Sequence, residues 1–342
     1  MATTSRQDRR NLLKKTNVIG VGYGNKNTGG VDTGEPCISV LVEKKLPKGE
    51  LRKSALVPDE IDGVKTDVIE TGKINALPLR LNTSGVGLRE SKVRPAPGGV
   101  SIGHLSITAG TFGCMVTDGT DNFILSNNHV LAHTNAGKKG DMILQPGPHD
   151  GGITTANQIA TLEHFEPIHF DKGKPEEDGL FALIKSFLCA LFGIFCEEEE
   201  DLSPNLFDAA LAAPVVPVDD ELSERDFVSP EILEIGIPTG WAHGEEIGLE
   251  VKKSGRTTGL TTGKVLQINA DILVDYGVGK GEVLFENQII SDSYSQGGDS
   301  GSAVLNNNNE VVGLLFAGSD TITVFSPIET ILDTFGVEIV TA

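Results

Sequence analysis

Cysteine is scarce in this chain. Its 342 residues hold four, Cys37, Cys114, Cys189 and Cys196, too few for a dense disulfide framework. Cys189 and Cys196 share an apolar run read as helix, where their spacing is too long for a bridge. All four therefore read as buried thiols. The charged start, residues 1–16, has no apolar core behind it, so no secretory signal is visible. With unpaired thiols, this points to a reducing, cytoplasmic setting, leaving non-classical secretion open. Basic residues number 28 against 48 acidic ones, a net charge of −20 that repels nucleic acid and anionic membrane. Aromatic residues make up only 5% of a chain with 41 glycines, which favours short strands and tight turns over helix bundles.

Long apolar runs are also nearly absent. The exception, residues 180–196, carries Lys185, precedes the acidic stretch 197–201 and is barely the length of a membrane span. It reads as a buried or self-associating helix, a possible route to a homo-oligomer, or as a flap over a cleft. Several motifs are missing at the places where they would matter. The glycine spacing in Val18-Ile19-Gly20-Val21-Gly22-Tyr23-Gly24 has no Lys-Ser/Thr after it, so it reads as a strand entering a hairpin and not as a nucleotide loop. His133 lies four positions after His129, but without a His-Glu-x-x-His pattern no metal is expected. The serine in Gly298-Asp299-Ser300-Gly301-Ser302 does not stand in a Gly-x-Ser-x-Gly elbow, which argues against an esterase of the α/β-hydrolase type. No cofactor is expected.

What is present centres on Ser295-Gln296-Gly297-Gly298-Asp299-Ser300-Gly301-Ser302-Ala303-Val304. The glycines allow a tight turn that aims the N–H groups of Gly298 and Ser300 at a developing oxyanion, with the Ser300 hydroxyl in front of them. A serine hydroxyl is a weak nucleophile and needs a base oriented by a carboxylate. His129 follows an apolar strand in 122–126 and qualifies as the base. Asp208, embedded in Asn205-Leu206-Phe207-Asp208-Ala209-Ala210-Leu211, is a charge that is costly without a partner, and His129 is the natural one. Asp178 is the rival carboxylate, but Gly179 and the acidic run before Asp178 suit a solvated loop better.

The order His, Asp, Ser, with these motifs, resembles the trypsin-like, chymotrypsin-fold serine proteases, most closely their bacterial branch. Ser126-Asn127-Asn128-His129-Val130 resembles the histidine motif of bacterial trypsin-like and high-temperature-requirement proteases. Ser254-Gly255-Arg256-Thr257-Thr258-Gly259 resembles a segment of streptogrisins and α-lytic protease. Val311-Val312-Gly313-Leu314-Leu315-Phe316-Ala317-Gly318 resembles the strand lining their specificity pocket. The resemblance implies a mainly β fold of two six-stranded antiparallel barrels with a C-terminal helix. It also implies a serine endopeptidase acting on a protein or peptide substrate through His129, Asp208 and Ser300, with Gly298 and Ser300 as the oxyanion hole. The rival reading is a catalytically latent or retired scaffold of this kind that serves as a binding protein.

Domain expectations follow from composition and the resemblance together. Residues 1–95 read as a mobile basic tail and a small α/β domain, ending in the Pro/Gly linker 91–99. Residues 96–342 read as the protease domain, with 171–204 an insertion and 214–231 a linker between barrels. Substrate-binding residues implied are Gln296, Phe316, Ala317, Gly318 and Thr323, giving an uncharged pocket wall suited to small or apolar side chains. A buried Asp299 needs a cationic partner, for which Lys252, Lys253 and Arg256 are the candidates. The family often has a serine near Phe316 that helps to hold the catalytic aspartate, and none stands there in this chain.

Overall fold

The Asp118-Gly119 turn sets the pattern of the first sheet. Gly119 takes a left-handed φ of 91°, Asp118 Oδ1 accepts from the Thr120 and Asp121 N–H groups at 2.8 Å, and Cys114–Thr117 and Asn122–Ser126 pair as a hairpin. In the computed structural model, residues 4–76, 87–153, 155–170, 204–215, 227–277 and 279–341 are described. The expected insertion helix, with Asp178, Cys189 and Cys196, lies outside them. The protein is mainly β.

One open sheet of eight strands runs in the spatial order Glu338–Ile339, Cys114–Thr117, Asn122–Ser126, Ala210–Pro214, Gln158–Phe165, Met142–Leu144, Ser101–His104, Gly110–Thr111. Ile102, Phe112, Ile124, Leu131, Ile143 and Leu162 fill its concave side. It differs from the expected six-stranded barrel at both ends. The C-terminal segment adds Glu338–Ile339 to the Cys114–Thr117 edge, and the two-residue Gly110–Thr111 strand adds to the other.

The second half does close on itself. Glu250–Gly255, Ala303–Asn306, Glu310–Gly318, Thr323–Pro327, Glu282–Ser291 and Gly259–Asp275 follow one another, and the last pairs back to the first. Gly259–Asp275 makes this possible because its first part pairs with Glu250–Gly255 while its later part pairs with Glu282–Ser291. The helix Ile328–Phe335 buries Ile328, Ile331 and Leu332 against the seam that Val116, Leu125 and Leu314 also line. Gly336 ends it at a left-handed φ of 66°.

Among the described residues, 4–76 and 87–95 do not build a sheet of their own, contrary to the reading of a separate α/β domain. Val18–Thr28 pairs antiparallel with Gly259–Asp275, and Val31–Val42, Val64–Glu70 and Glu60–Ile61 extend the same sheet outward. Val18 to Tyr23 are all buried, so both strand faces are covered, as continuation of a larger sheet requires. The segment expected as a mobile tail holds a helix within its described residues. Ser5 caps a helix, Arg6–Leu13, by accepting from the Asp8 N–H. Its arginines pair with the barrel, Arg9 with Asp271 at 2.8 Å and Arg10 with Glu286 at 2.8 Å. The expected inter-barrel linker likewise contains structure, since Val228–Ile232 pairs in parallel with Ala96–Gly98. Cys37 and Cys114 are free and buried, and burial pushes the Cys114 thiol up to about 12. Among the described residues, no helix is long and apolar enough to cross a membrane.

Candidate active site

Strand register brings His129 and Asp208 together. Ser126 faces Ala210 across an antiparallel pair, so Asp208, two residues before Ala210, lies beside the His129 turn that follows Ser126. Asn127 Nδ2 donates to Asp208 O at 2.7 Å, and the short helix Asn128–Leu131 then carries the imidazole. The His129 Nδ1–H donates to Asp208 Oδ2 at 2.6 Å, and the His129 backbone N–H reaches Oδ1 at 3.2 Å. Asp208 is buried.

A third group completes this pair, and it is one that sequence reasoning missed. Tyr276, just past the end of Gly259–Asp275, donates its hydroxyl to Asp208 Oδ2 at 2.7 Å. Its ring stacks on Phe285 at 6.1 Å and meets the His129 ring edge-on at 6.1 Å. Tyr276 thus gives Asp208 a side-chain hydroxyl partner although no serine stands near Phe316 in its strand. Burial alone would raise the Asp208 pKa, but the charge and hydrogen bond of His129 and the hydroxyl of Tyr276 outweigh it and hold the carboxyl below its usual range. Burial, with Asp208 beside it, pushes the Tyr276 phenol well up, so it stays a donor.

A carboxyl lowered in this way contributes stability fully above its unfolded value of 3.8 and loses it as the pH falls through its lower folded value. Tyr276→Phe keeps the ring packing and removes one hydrogen bond to a charged group. We expect kcat/KM to drop about ten- to a hundredfold, the cost of about 1.5–3 kcal/mol. The acid arm of the stability curve should also shift to higher pH, because Asp208 loses part of what lowers it. Chemical denaturation across the acid range reads this, and an unchanged acid arm would assign Tyr276 to packing alone.

The serine loop is fixed from both sheets. Gly301 has φ 93°, and a Cβ there would lie 2.1 Å from Ser126 Oγ and 2.4 Å from Thr111 O, so only glycine lets Ser300 approach the His129 strand this closely. The Thr111 N–H donates to Ser300 O at 2.8 Å, and its hydroxyl donates to Gly298 O at 2.8 Å. The Thr257 hydroxyl holds Gly297 O at 2.7 Å. Because the peptide is planar and trans, the Gly298 N–H points the opposite way, off the Thr257 side. Among the described residues, neither the Gly298 nor the Ser300 N–H has a protein acceptor.

Asp299 lies fully buried beneath the loop. It accepts from the N–H groups of Thr257, Thr258 and Gln296 at 2.8, 3.0 and 3.0 Å, from the Thr258 hydroxyl at 2.6 Å and from Lys253 Nζ at 3.3 Å. Of the three candidate cations, Lys253 is the partner. Lys252 turns to Asn309 at 2.6 Å, and Arg256 binds Asp150 and Glu90. Burial lowers the Lys253 pKa while Asp299 works against that shift.

Ser300 Oγ donates to Phe316 O at 3.4 Å, while His129 Nε2 is buried and has no hydrogen-bond partner among the described residues. The Ser300–His129 bond is therefore not made in this structure, a looseness common in active sites before substrate arrives. A cleft of about 660 Å³ opens beside the serine loop, lined by Gln296, Gly297, Gly318, Asp320 and, from the N-terminal region, Glu70 and Lys73 among others. Gln296 and Gly318 thus reach the cleft, and charged residues share its wall. Phe316, Ala317 and Thr323 are fully buried; Phe316 packs on Phe285 at 4.7 Å, and Thr323 bonds Ser295 and Ser293 O, each at 2.6 Å. Among the described residues, no group of three His, Cys, Asp or Glu side chains is placed to hold a metal ion.

No protein-family model matches the chain, and no curated protein does. Among solved structures, the chain is similar to Thermobifida fusca protease A (19% identity, 72% of this chain and 100% of that one, TM-score 0.44). It is also similar to Cellulomonas bogoriensis chymotrypsin (18%, 72% and 99%, 0.43), and to an α-lytic protease homologue, N4 (15%, 72% and 99%, 0.45).

Proposed function

We propose that the protein is a serine endopeptidase that hydrolyses peptide bonds through an acyl-enzyme. The observation that carries this reading is the buried Tyr276–Asp208–His129 chain of hydrogen bonds beside a serine loop with two unspent N–H groups. Asp208 holds the proton on Nδ1 of His129, which leaves Nε2 as the base. His129 Nε2 takes the Ser300 proton as Oγ bonds to the peptide carbonyl carbon, and the resulting oxyanion meets the N–H groups of Gly298 and Ser300. The C–N bond then breaks as His129 returns the proton to the leaving amine. Water, activated by the same imidazole, hydrolyses the ester and frees Ser300.

One observation favours the second reading, a latent or retired scaffold: the Ser300 hydroxyl is turned to Phe316 O and not to His129. A fluorophosphonate probe separates the two, because it phosphonylates a serine only when base and oxyanion donors act together. We expect the full-length protein to label stoichiometrically and Ser300→Ala not at all. Absence of label on the unmodified protein would sink the hydrolase reading.

A further inference from the structure

The strand beside Ser300 has both edges filled. Along Glu310–Gly318, Ala317 and Gly318 pair with Val324 and Thr323 on one side. The other side is vacated where Ala303–Asn306 ends its pairing at Leu314. There, two residues from the N-terminal region pair antiparallel, Ala76 with Ala317 and Asn75 with Gly318. That edge is where an extended peptide would add as a strand to place its carbonyl at Ser300, since peptide recognition at a sheet edge proceeds through main-chain pairing. The step from Asn75 to Ala76 runs from Gly318 toward Phe316, whose carbonyl accepts from Ser300 Oγ.

The segment is held by its own anchors. Ile74 is buried among Phe285, Phe316 and Val324, and its carbonyl accepts from the Asp275 N–H at 3.0 Å. Lys73 Nζ pairs with Asp275 at 2.8 Å, and the Thr321 hydroxyl donates to Thr71 O at 3.2 Å. Asp275 adjoins Tyr276, so one short strand bridges the element that steadies Asp208 and the element that receives Ser300.

From this we infer that Asn75–Ala76 is a built-in pseudosubstrate strand that occupies the peptide-binding edge and must leave before a polypeptide substrate can be cut. The inference rests on the serine endopeptidase reading above. A site open for only a fraction of the time binds peptide more weakly in proportion to that fraction.

Two assays on the full chain test it: labelling by a small fluorophosphonate, which needs Ser300 and His129 but no strand edge, and turnover of a fluorogenic peptide library, which needs the edge. Three variants loosen the segment to different degrees. Lys73→Ala cuts a half-exposed anchor, Asn75→Pro disrupts strand pairing while sparing Ile74, and Ile74→Ser removes the buried side chain. Labelling of each variant shows that its site is folded.

The expected result is that labelling rates stay within about twofold while peptide kcat/KM rises at least about tenfold in Asn75→Pro and less in Lys73→Ala. Label without any gain in peptide turnover in any labelled variant would overturn the inference and make the segment a permanent wall of the cleft. Absence of label on the unmodified protein would overturn the endopeptidase reading and this inference with it.

Discussion

Replacing His129 with alanine is expected to lower kcat/KM on a peptide substrate by about four to six orders of magnitude. The imidazole is the described group placed to take the Ser300 proton, and a neutral serine hydroxyl without a base is a poor nucleophile. Ser300→Ala should cost about as much, and the double variant no more than either single one, because the two side chains act as one unit. Asp208→Asn should retain somewhat more activity: its amide fits the same space but can favour the wrong imidazole tautomer, a loss of about ten-thousandfold. Steady-state kinetics on these four variants decides the matter. Additive losses for Ser300→Ala and His129→Ala would mean that they do not cooperate in one reaction step.

Lys253→Met is expected to have the largest effect on stability of any single change at the site, about 3–5 kcal/mol. Lys253 and Asp299 are 1% and 0% exposed at their side chains, and removing the ammonium leaves a carboxylate enclosed with only neutral donors. Asp299 directly precedes Ser300 and accepts from the Gln296 N–H, so any movement to relieve its charge displaces the Gly298 N–H. We therefore expect kcat to fall by about a hundred- to a thousandfold, the cost of an oxyanion donor. The double variant Lys253→Met with Asp299→Asn removes both charges and should recover much of the lost stability. Guanidinium unfolding of the single and double variants measures this coupling. If the double variant were as unstable as the sum of the singles, the ion pair would not be what holds the loop.

Much of the site was legible because chemistry constrains residue type and order. Gly-Asp-Ser-Gly, a histidine after an apolar strand and a carboxylate in an apolar run each break the surrounding pattern, and such breaks point to a purpose. Lys253 was one of three cations in reach, and the alternation at the start of Glu250–Gly255 turns Val251 and Lys253 inward on either side of Lys252. Tyr276 and Thr111 left no mark. A tyrosine after a strand and a threonine after a glycine are ordinary residues, and their roles come from partners at 276 and 208, or 111 and 298, that only the folded chain brings together. The N-terminal region was misjudged for a related reason. Its strands have the right pattern, but pattern reveals which residues face inward and not which distant strand they join. The arginines of the first helix read as a solvated tail because Asp271 and Glu286 lie far along the chain.

The pairing of Val18–Thr28 with Gly259–Asp275 also bears on how the chain is made. Val21 meets Asp271, about 250 positions later, so during synthesis the first hairpin emerges long before its neighbour exists. At ribosomal speed that interval lasts roughly 12 to 50 s, with one apolar strand edge unpaired throughout. Such an edge invites pairing with other nascent chains. The protein's yield in the cell should therefore depend on what shields those first strands while the rest of the chain is still being translated.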